Sequence, residues 1–199
     1  MATEKILGYE EIARGRFLHL GNVVYQDARG RVRQWEAAGR VRPEGSGSDD
    51  TARASAVVIW CTIRSTGEWV LVRQFRPPAW CDVLEFPAGL IDPGEDAAET
   101  AVRELWEETG LRGEVRSVSI PAVNSPGMSG ERMILVKMIA DLPPDGVLPE
   151  NHQEDSENIS ALLVAPADLP DLLEKHYRAG GAVDAKLVTL AMIAGGCNV

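Results

Sequence analysis

An α+β fold or a mixed-sheet α/β sandwich, with a small antiparallel β unit at its N-terminus, is the fold class predicted by this 199-residue sequence. Three observations lead there. Short apolar runs of strand character come in pairs around turn residues, helical periodicity is confined to one central and two C-terminal segments, and regular strand-helix-strand alternation is missing. A 45% hydrophobic content over this length supports one good-sized core with a small appendage.

From Phe17 to Ala38 apolar and polar residues alternate around QDARGRVRQW, and Ala28-Arg29-Gly30 suits a short hairpin turn, so two strands are expected. The polar, Gly- and Ser-rich stretch RPEGSGSDDTARAS, residues 42–55, follows as a loop or linker. It separates an N-terminal β unit, residues 1–50, from a main domain, residues 51–199. SAVVIWCTIR and EWVLVRQF are read as two buried strands around the turn STGE, FRPPAW as a non-helical connection, and DVLEFPAG as a further short strand. Asp96 and Glu99 have the spacing of a capping box and Gly110 is placed to end a helix in the left-handed region, so a helix is expected from about Asp96 to Thr109. EVRSVSIPAV and RMILVKMIADL are strand candidates around NSPGMSGE. The acidic stretch PPDGVLPENHQEDSEN is a long loop of the kind that often carries function. ISALLVA reads as the last strand and PADLPDLLEKHY as a helix. VDAKLVTLAMIAGG closes the chain as a helix with Val183, Leu187, Leu190, Ala191 and Ile193 or Ala194 near one face, ended by Gly195-Gly196.

A formal net charge of −10 argues against nucleic acid or an anionic membrane surface as partner, so any anionic substrate must be received by a local arrangement. No segment approaches the roughly 20 apolar residues of a membrane span, and MATEKILGYEEIARG lacks the basic flank and apolar run of a leader. A cytoplasmic protein is expected, and a nuclear setting is compatible. Cys61, Cys81 and Cys197 are far apart and odd in number, which suggests thiols rather than a disulfide framework or zinc site. His19, His152 and His176 lack a second ligand at metal-binding spacing and are read as structural or solvated.

The helix raises a physical question. Ala98, Ala101, Val102 and Leu105 recur at helical spacing as its buried stripe, and Glu104, Glu107 and Glu108, at i, i+3 and i+4, are expected on the opposite side. Glu104 and Glu108 are then about 6 Å apart along the axis. Like charges so close repel, and they stand at the helix's negative end, where the macrodipole disfavours them. Two readings follow from the residues alone. Clustered oxygen ligands suit a hard divalent cation, Mg²⁺ above all with Mn²⁺ as a substitute, and hence metal-assisted chemistry at a phosphate. A solvated acidic face, with Arg103 paired to Glu99 or Glu107, is the alternative.

The order Gly89, five residues, Glu95, seven residues, Arg103-Glu104, Leu105, one residue, Glu107-Glu108, one residue, Gly110-Leu111 matches the Nudix box at every specified position. The chain thus resembles the Nudix hydrolases, and the resemblance implies a mixed α/β/α sandwich and Mg²⁺-dependent cleavage of a nucleoside diphosphate linked to another moiety. It implies metal ligation by Glu104 and Glu108 with Glu107 beside them and the Ala88 carbonyl near by. Arg103 would hold the glutamates in place, and Glu95 would brace the loop or join an outer metal shell.

The flanks VRQFRPP, LEFPAGLID and PGMSGE, with Pro126 15 residues beyond Leu111, resemble the branch of ADP-ribose and nucleoside-diphosphate-sugar pyrophosphatases. The similarity runs from about Phe17 to the C-terminal helix and includes GRVRQWEAAGR, which is similar to the N-terminal β unit of the eukaryotic type. It implies a homodimer with exchanged N-terminal units and an adenine held between aromatic rings. Trp35 matches one ring, and Phe17 stands where such relatives carry a Trp. Arg40 and Arg76 correspond to arginines that reach the diphosphate or terminal ribose, for which a forked guanidinium is suited. Gly127, Met128 and Glu131 would line or approach the site. Read as residues alone, Trp35 has a core aromatic as its alternative reading and Arg76 a structural surface arginine. The resemblance also implies a catalytic base or positioning carboxylate from the loop ahead of the last strand, where Glu157 is the positional match and Glu154 the runner-up, and AMP and ribose 5-phosphate as the products from ADP-ribose.

Two competing functions remain at this level. UDP-glucose, another sugar nucleotide or an oxidised nucleoside diphosphate could be the preferred substrate, or the chain could be a non-catalytic Nudix-fold binding module. The complete box favours catalysis, and a metal-independent serine or cysteine hydrolase is disfavoured because no GxSxG elbow or Cys/His arrangement is present.

Overall fold

The computed structural model describes residues 4–40, 54–153 and 158–193. Residues 41–53, which carry most of the expected linker, and Ala194, Gly195 and Gly196 at the expected helix end lie outside the described residues. Two compact units are present, Met1–Ala56 with Ile120–Ile134, and Val57–Ser119 with Leu135–Val199.

The first unit is built on an antiparallel sheet of β1 (Lys5–Arg14), β2 (His19–Gln26) and β3 (Val32–Gly39) in that order. The expected hairpin is β2–β3, with Val23 opposite Trp35 and Gln26 opposite Val32. Asp27 closes its turn: Oδ1 accepts from the Arg29 and Arg31 N–H groups, each at 2.9 Å, and Gly30 adopts φ +77°. β1 was not expected. Its pairing with β2 slips between Ile6 and Gly8 and again between Glu11 and Ala13, so the period-2 signal never persists, and most of the strand is exposed. Residues 120–134 complete the unit, with β9 (Ala122–Val123) pairing antiparallel with the start of β10 (Arg132–Ala140).

The second unit holds β4 (Ala56–Ile63) after its first residue, β5 (Trp69–Arg76), β6 (Cys81–Glu85), β7 (Ala88–Leu90), β8 (Gly113–Val118), the rest of β10, β11 (Ile159–Val164) and β12 (Ala182–Val183). β5 runs antiparallel to both β6 and β11, β10 antiparallel to β8, and β12 parallel to β6, which makes the sheet mixed. Trp69, Val70, Leu71 and Val72 are buried consecutively, as in a strand covered on both faces. Val57, Ile59, Cys61 and Ile63 alternate into the same core from β4, joined by Leu105 of α1 (Ala97–Thr109), Leu169 and Leu173 of α2 (Leu169–Arg178), and Leu187 and Ala191 of α3 (Ala185–Ile193).

Several expected elements differ in detail. FRPPAW contains a single 3₁₀ turn over Pro77–Ala79, and DVLEFPAG is two strands, β6 and β7. EVRSVSIPAV is also two strands, β8 and β9, interrupted before Pro121, which has no N–H to continue a ladder. In α3 Leu187 and Ala191 face the core as expected, but Ile193 is 76% exposed and Val183 belongs to β12. No helix among the described residues is long and apolar enough to cross a membrane.

Candidate active site

Helix α1 begins as its sequence predicts. Asp96 accepts from the N–H groups of Ala98 at 2.8 Å and Glu99 at 2.9 Å, while Glu99 returns a carboxylate oxygen to the Asp96 N–H at 3.0 Å. Gly110 ends the helix at φ +71°, and a Cβ there would strike the Glu150 carbonyl, so a side chain is disfavoured by conformation and by space.

A guanidinium stands among the acids. Arg103 Nη1 donates to Glu104 Oε1 at 2.8 Å and to Glu107 Oε2 at 3.0 Å; Nε and Nη2 fork onto Glu95 at 3.0 and 2.9 Å, and Nη2 also reaches the Leu90 carbonyl at 3.1 Å. Thr100 Oγ1 donates to the second Glu95 oxygen at 2.9 Å. Glu95 is thus tied between the loop and the helix, and its carboxyl is held down to about 2, chiefly by the Arg103 hydrogen bonds. The same bonds, led by Glu95, raise the Arg103 pKa further above its ordinary value. Of the two ion pairs expected for Arg103 on a solvated face, that with Glu107 forms, whereas Glu99 is spent on the cap.

The expected common outer face of the three glutamates needs correction. Glu108 is 4% exposed and falls in line with Ala101 and Leu105 on the inward side, because 101, 105 and 108 are spaced by four and three residues. Its Oε2 accepts from the Ala88 N–H at 3.1 Å. Glu104 is received elsewhere on β7: a Cβ at Gly89 would overlap its carboxylate, so the glycine is there for close approach rather than for a turn.

The arrangement bears on a divalent cation. With Arg103 among Glu95, Glu104 and Glu107, no group of three His, Cys, Asp or Glu side chains among the described residues stands in a metal-holding arrangement. The donor chemistry nevertheless fits a hard cation. The carboxylates of Glu104, Glu107 and Glu108 offer only oxygen, and the Gly89 cradle brings Glu104 against β7, beside the Ala88 N–H that holds Glu108.

Among the residues expected to bind substrate, Trp35, Arg40, Gly127, Met128 and Glu131 come together in the first unit. Trp35 Nε1 donates to the Gly127 carbonyl at 3.0 Å, the Ala38 N–H to the Met128 carbonyl at 2.9 Å, and Arg40 Nε to Glu131 Oε1 at 3.1 Å. Trp35 is 54% exposed, which removes the core-aromatic reading. Phe17 is not brought to it. That ring lies in the β1–β2 turn, 66% exposed, under the Arg16 guanidinium at 4.9 Å, and among the described residues no ring pairs Phe17 with Trp35. In the second unit Arg76 Nε donates to Glu85 Oε1 at 2.7 Å. Glu154 and Glu157 lie outside the described residues.

Other contributors carry little sequence signal. Asp92 and Leu90 brace the Glu95–Arg103 pair from positions with no periodic relation to it, and Thr100 does so from three residues before Arg103 on α1. His152, read as structural or solvated, stacks on Trp106 with centroids 4.1 Å apart, Arg112 covers the Trp106 ring at 4.6 Å, and the His152 N–H donates to the Glu107 carbonyl at 2.7 Å. Asn151 and Gln153 hold the carbonyl and N–H of Ile159. Cys61 and Cys81 are free thiols, and burial pushes Cys61 up to about 12.

A NUDIX domain model matches residues 52–185, which is more than half of the chain. The chain belongs to the Nudix hydrolase family. Its similarity to ADP-ribose pyrophosphatase of Saccharomyces cerevisiae is 32% identity over 92% of this chain and 78% of that protein. Its similarity to ADP-sugar pyrophosphatase of Mus musculus is 33% identity over 89% of this chain and 81% of that one. A solved structure titled crystal structure of ADP compounds hydrolase superposes with a TM-score of 0.65 at 24% identity, covering 96% of this chain and 92% of that chain. That likeness establishes the fold: this Nudix protein has the mixed-sheet architecture of the family with the three-stranded sheet at its N-terminus. Nudix hydrolases generally use divalent metal ions, in keeping with the oxygen-only donor set around α1.

Proposed function

We propose that this Nudix protein hydrolyses the diphosphate linkage of ADP-ribose, giving AMP and ribose 5-phosphate, with Mg²⁺ as its metal and Mn²⁺ as a substitute. The observation that carries this reading is similarity, over about nine-tenths of this chain, to proteins named for ADP-ribose and ADP-sugars, combined with a box in which Arg103 organises the acids around α1.

Glu104, Glu107, Glu108 and the Ala88 carbonyl would hold the cation, which when bound supplies charge neutralisation at the diphosphate and lowers the pKa of water. Arg103 holds Glu104 and Glu107 by one oxygen each, and Glu95 in turn holds Arg103, so the acids meet a cation already oriented. Glu157, or Glu154 as the runner-up, would serve as the base or water-positioning carboxylate. Trp35 would hold the adenine, Phe17 would join it only across the exchanged dimer, and Arg40 and Arg76 would hold the diphosphate or terminal ribose, with Gly127, Met128 and Glu131 contributing to binding. Stacking of a base on an aromatic ring is worth about 1 to 3 kcal/mol, and the exposed Trp35 ring supports this use. The molecule would act as a homodimer with exchanged N-terminal units, a reading supported by the exposed Ile6, Leu7, Ile12, Leu18 and Leu20 of that sheet and its turn.

The test is a substrate panel with Mg²⁺: ADP-ribose, ADP-glucose, UDP-glucose, NADH and 8-oxo-dGDP, with kcat/KM for each and products identified by chromatography. ADP-ribose well ahead, with AMP and ribose 5-phosphate as products, is the expected result. A preference for UDP-glucose would keep hydrolysis and discard the adenine site at Trp35.

A further inference from the structure

Arg76 closes β5 and Glu85 closes β6. The two strands run antiparallel with Val72 opposite Glu85 and Arg76 opposite Cys81, so residues 72, 74 and 76 share one face of the pair with 81, 83 and 85. Arg76 reaches back along that face, and its Nε donates to Glu85 Oε1 at 2.7 Å. The partners differ in exposure: the Glu85 side chain is largely buried and that of Arg76 half exposed. Near Glu85 stands the start of α3, where the Asp184 N–H donates to the Leu84 carbonyl at 3.0 Å and Lys186 Nζ pairs with Asp184 at 2.6 Å.

A carboxylate taken out of water is costly, and here burial pushes the Glu85 carboxyl up while Arg76 draws it back down. An exposed acid could pair with Arg76 without that penalty. What burial adds is a fixed acceptor. A guanidinium is planar, so a hydrogen bond from Nε to an immobile oxygen restrains its orientation and leaves the donors of both Nη groups available. Among the described residues, the Arg76 side chain has no other hydrogen bond or ion pair.

We propose that Glu85 is a positioning residue for Arg76, fixing the guanidinium so that its Nη fork meets the diphosphate of a nucleoside diphosphate sugar. This rests on the reading of Arg76 as a diphosphate-binding residue. Glu85 does not touch substrate in this scheme. It acts through Arg76 alone, so its effect vanishes when Arg76 is absent.

The experiment is a binding cycle on the full chain, with ADP-ribose titrated calorimetrically without divalent cation so that the readout is independent of turnover. Wild type, R76A, E85A, E85Q and R76A/E85A are compared, with thermal unfolding measured alongside. R76A is expected to weaken binding by about tenfold or more, the usual worth of a hydrogen bond to a charged group. E85A is expected to weaken it by a smaller factor, and E85Q, which keeps an acceptor oxygen, to lie between E85A and wild type. The double variant should match R76A within about twofold. Additive losses, or an E85A that lowers Tm while binding like wild type, overturn the proposal and leave the Arg76 reading intact. Wild-type affinity in R76A overturns the Arg76 reading and the proposal together, and absence of ADP-ribose binding by the wild type overturns the substrate reading with them. If E85A does not fold, the cycle of E85Q with R76A carries the same comparison.

Discussion

Arg103 and Glu108 show how differently two charged residues of one helix can be used. Arg103 gathers Glu95, Glu104 and Glu107 at the partly exposed side, whereas Glu108 is carried inward to the backbone of β7. Glu108→Gln keeps the shape and an acceptor oxygen but removes one negative charge from the proposed ligand set, so turnover with Mg²⁺ is expected to fall about 10²-fold or more with the fold retained. Near-normal activity in E108Q would falsify the metal assignment. Gly89→Ala places a methyl group where the Glu104 carboxylate lies, and displacement of a proposed active-site group by about 1 Å can cost about 10²-fold in rate. Circular dichroism should show G89A folded, and activity should show it impaired. Glu95 gives a pH prediction. Its folded pKa of about 2 lies below the ordinary 4.5, so its contribution to stability is complete above about pH 4.5 and is lost as pH falls toward 2. Denaturant unfolding of wild type and E95Q should therefore differ at pH 6 and converge toward pH 2; a constant difference across that window contradicts the Arg103 bond as its source.

At the scale of elements, α1 was legible from end to end because its limits are set by neighbouring residues. Asp96 and Glu99 reciprocate, and Gly110 takes the left-handed conformation, so propensity, capping and termination agree. Removing the cap side chain in Asp96→Ala should cost about 1 kcal/mol of stability, measured as a shift in the denaturant midpoint at unchanged slope. No change in the midpoint would mean that packing of Ala101 and Leu105 alone sets the helix start. β1 was illegible for the opposite reason. Two register shifts break its alternation, and its pairing with β2 depends on a partner strand rather than on a local pattern. Glu108 stands four residues after Glu104 but also three after Leu105 and seven after Ala101, so helical spacing alone allows either face and packing against the core decides for the inner one.

At the scale of the molecule, similarity across nine-tenths of the chain and a matched domain over residues 52–185 place it among the Nudix hydrolases. The first unit exposes a group of apolar side chains on β1, β2 and the turn between them, and the exchanged homodimer proposed above would cover such a surface. Sedimentation equilibrium at micromolar concentration is expected to give twice the chain mass; a monomer would defeat the dimer and leave the metal proposal at α1 untouched.

By itself the sequence determined what depends on near neighbours in the chain: the capped helix, the alternating hairpin β2–β3, the buried run of β5, and the box whose spacing names the family. Tertiary structure decided what depends on residues far apart meeting in space. It joined residues 120–134 to the N-terminal sheet, set Glu104 over Gly89, turned Glu108 inward, and paired Arg76 with Glu85 and Trp35 with Gly127. The division is physical. A cap or a turn is selected by hydrogen bonds within a few residues, whereas the burial and pairing of a charged side chain follow from which strand packs beside it.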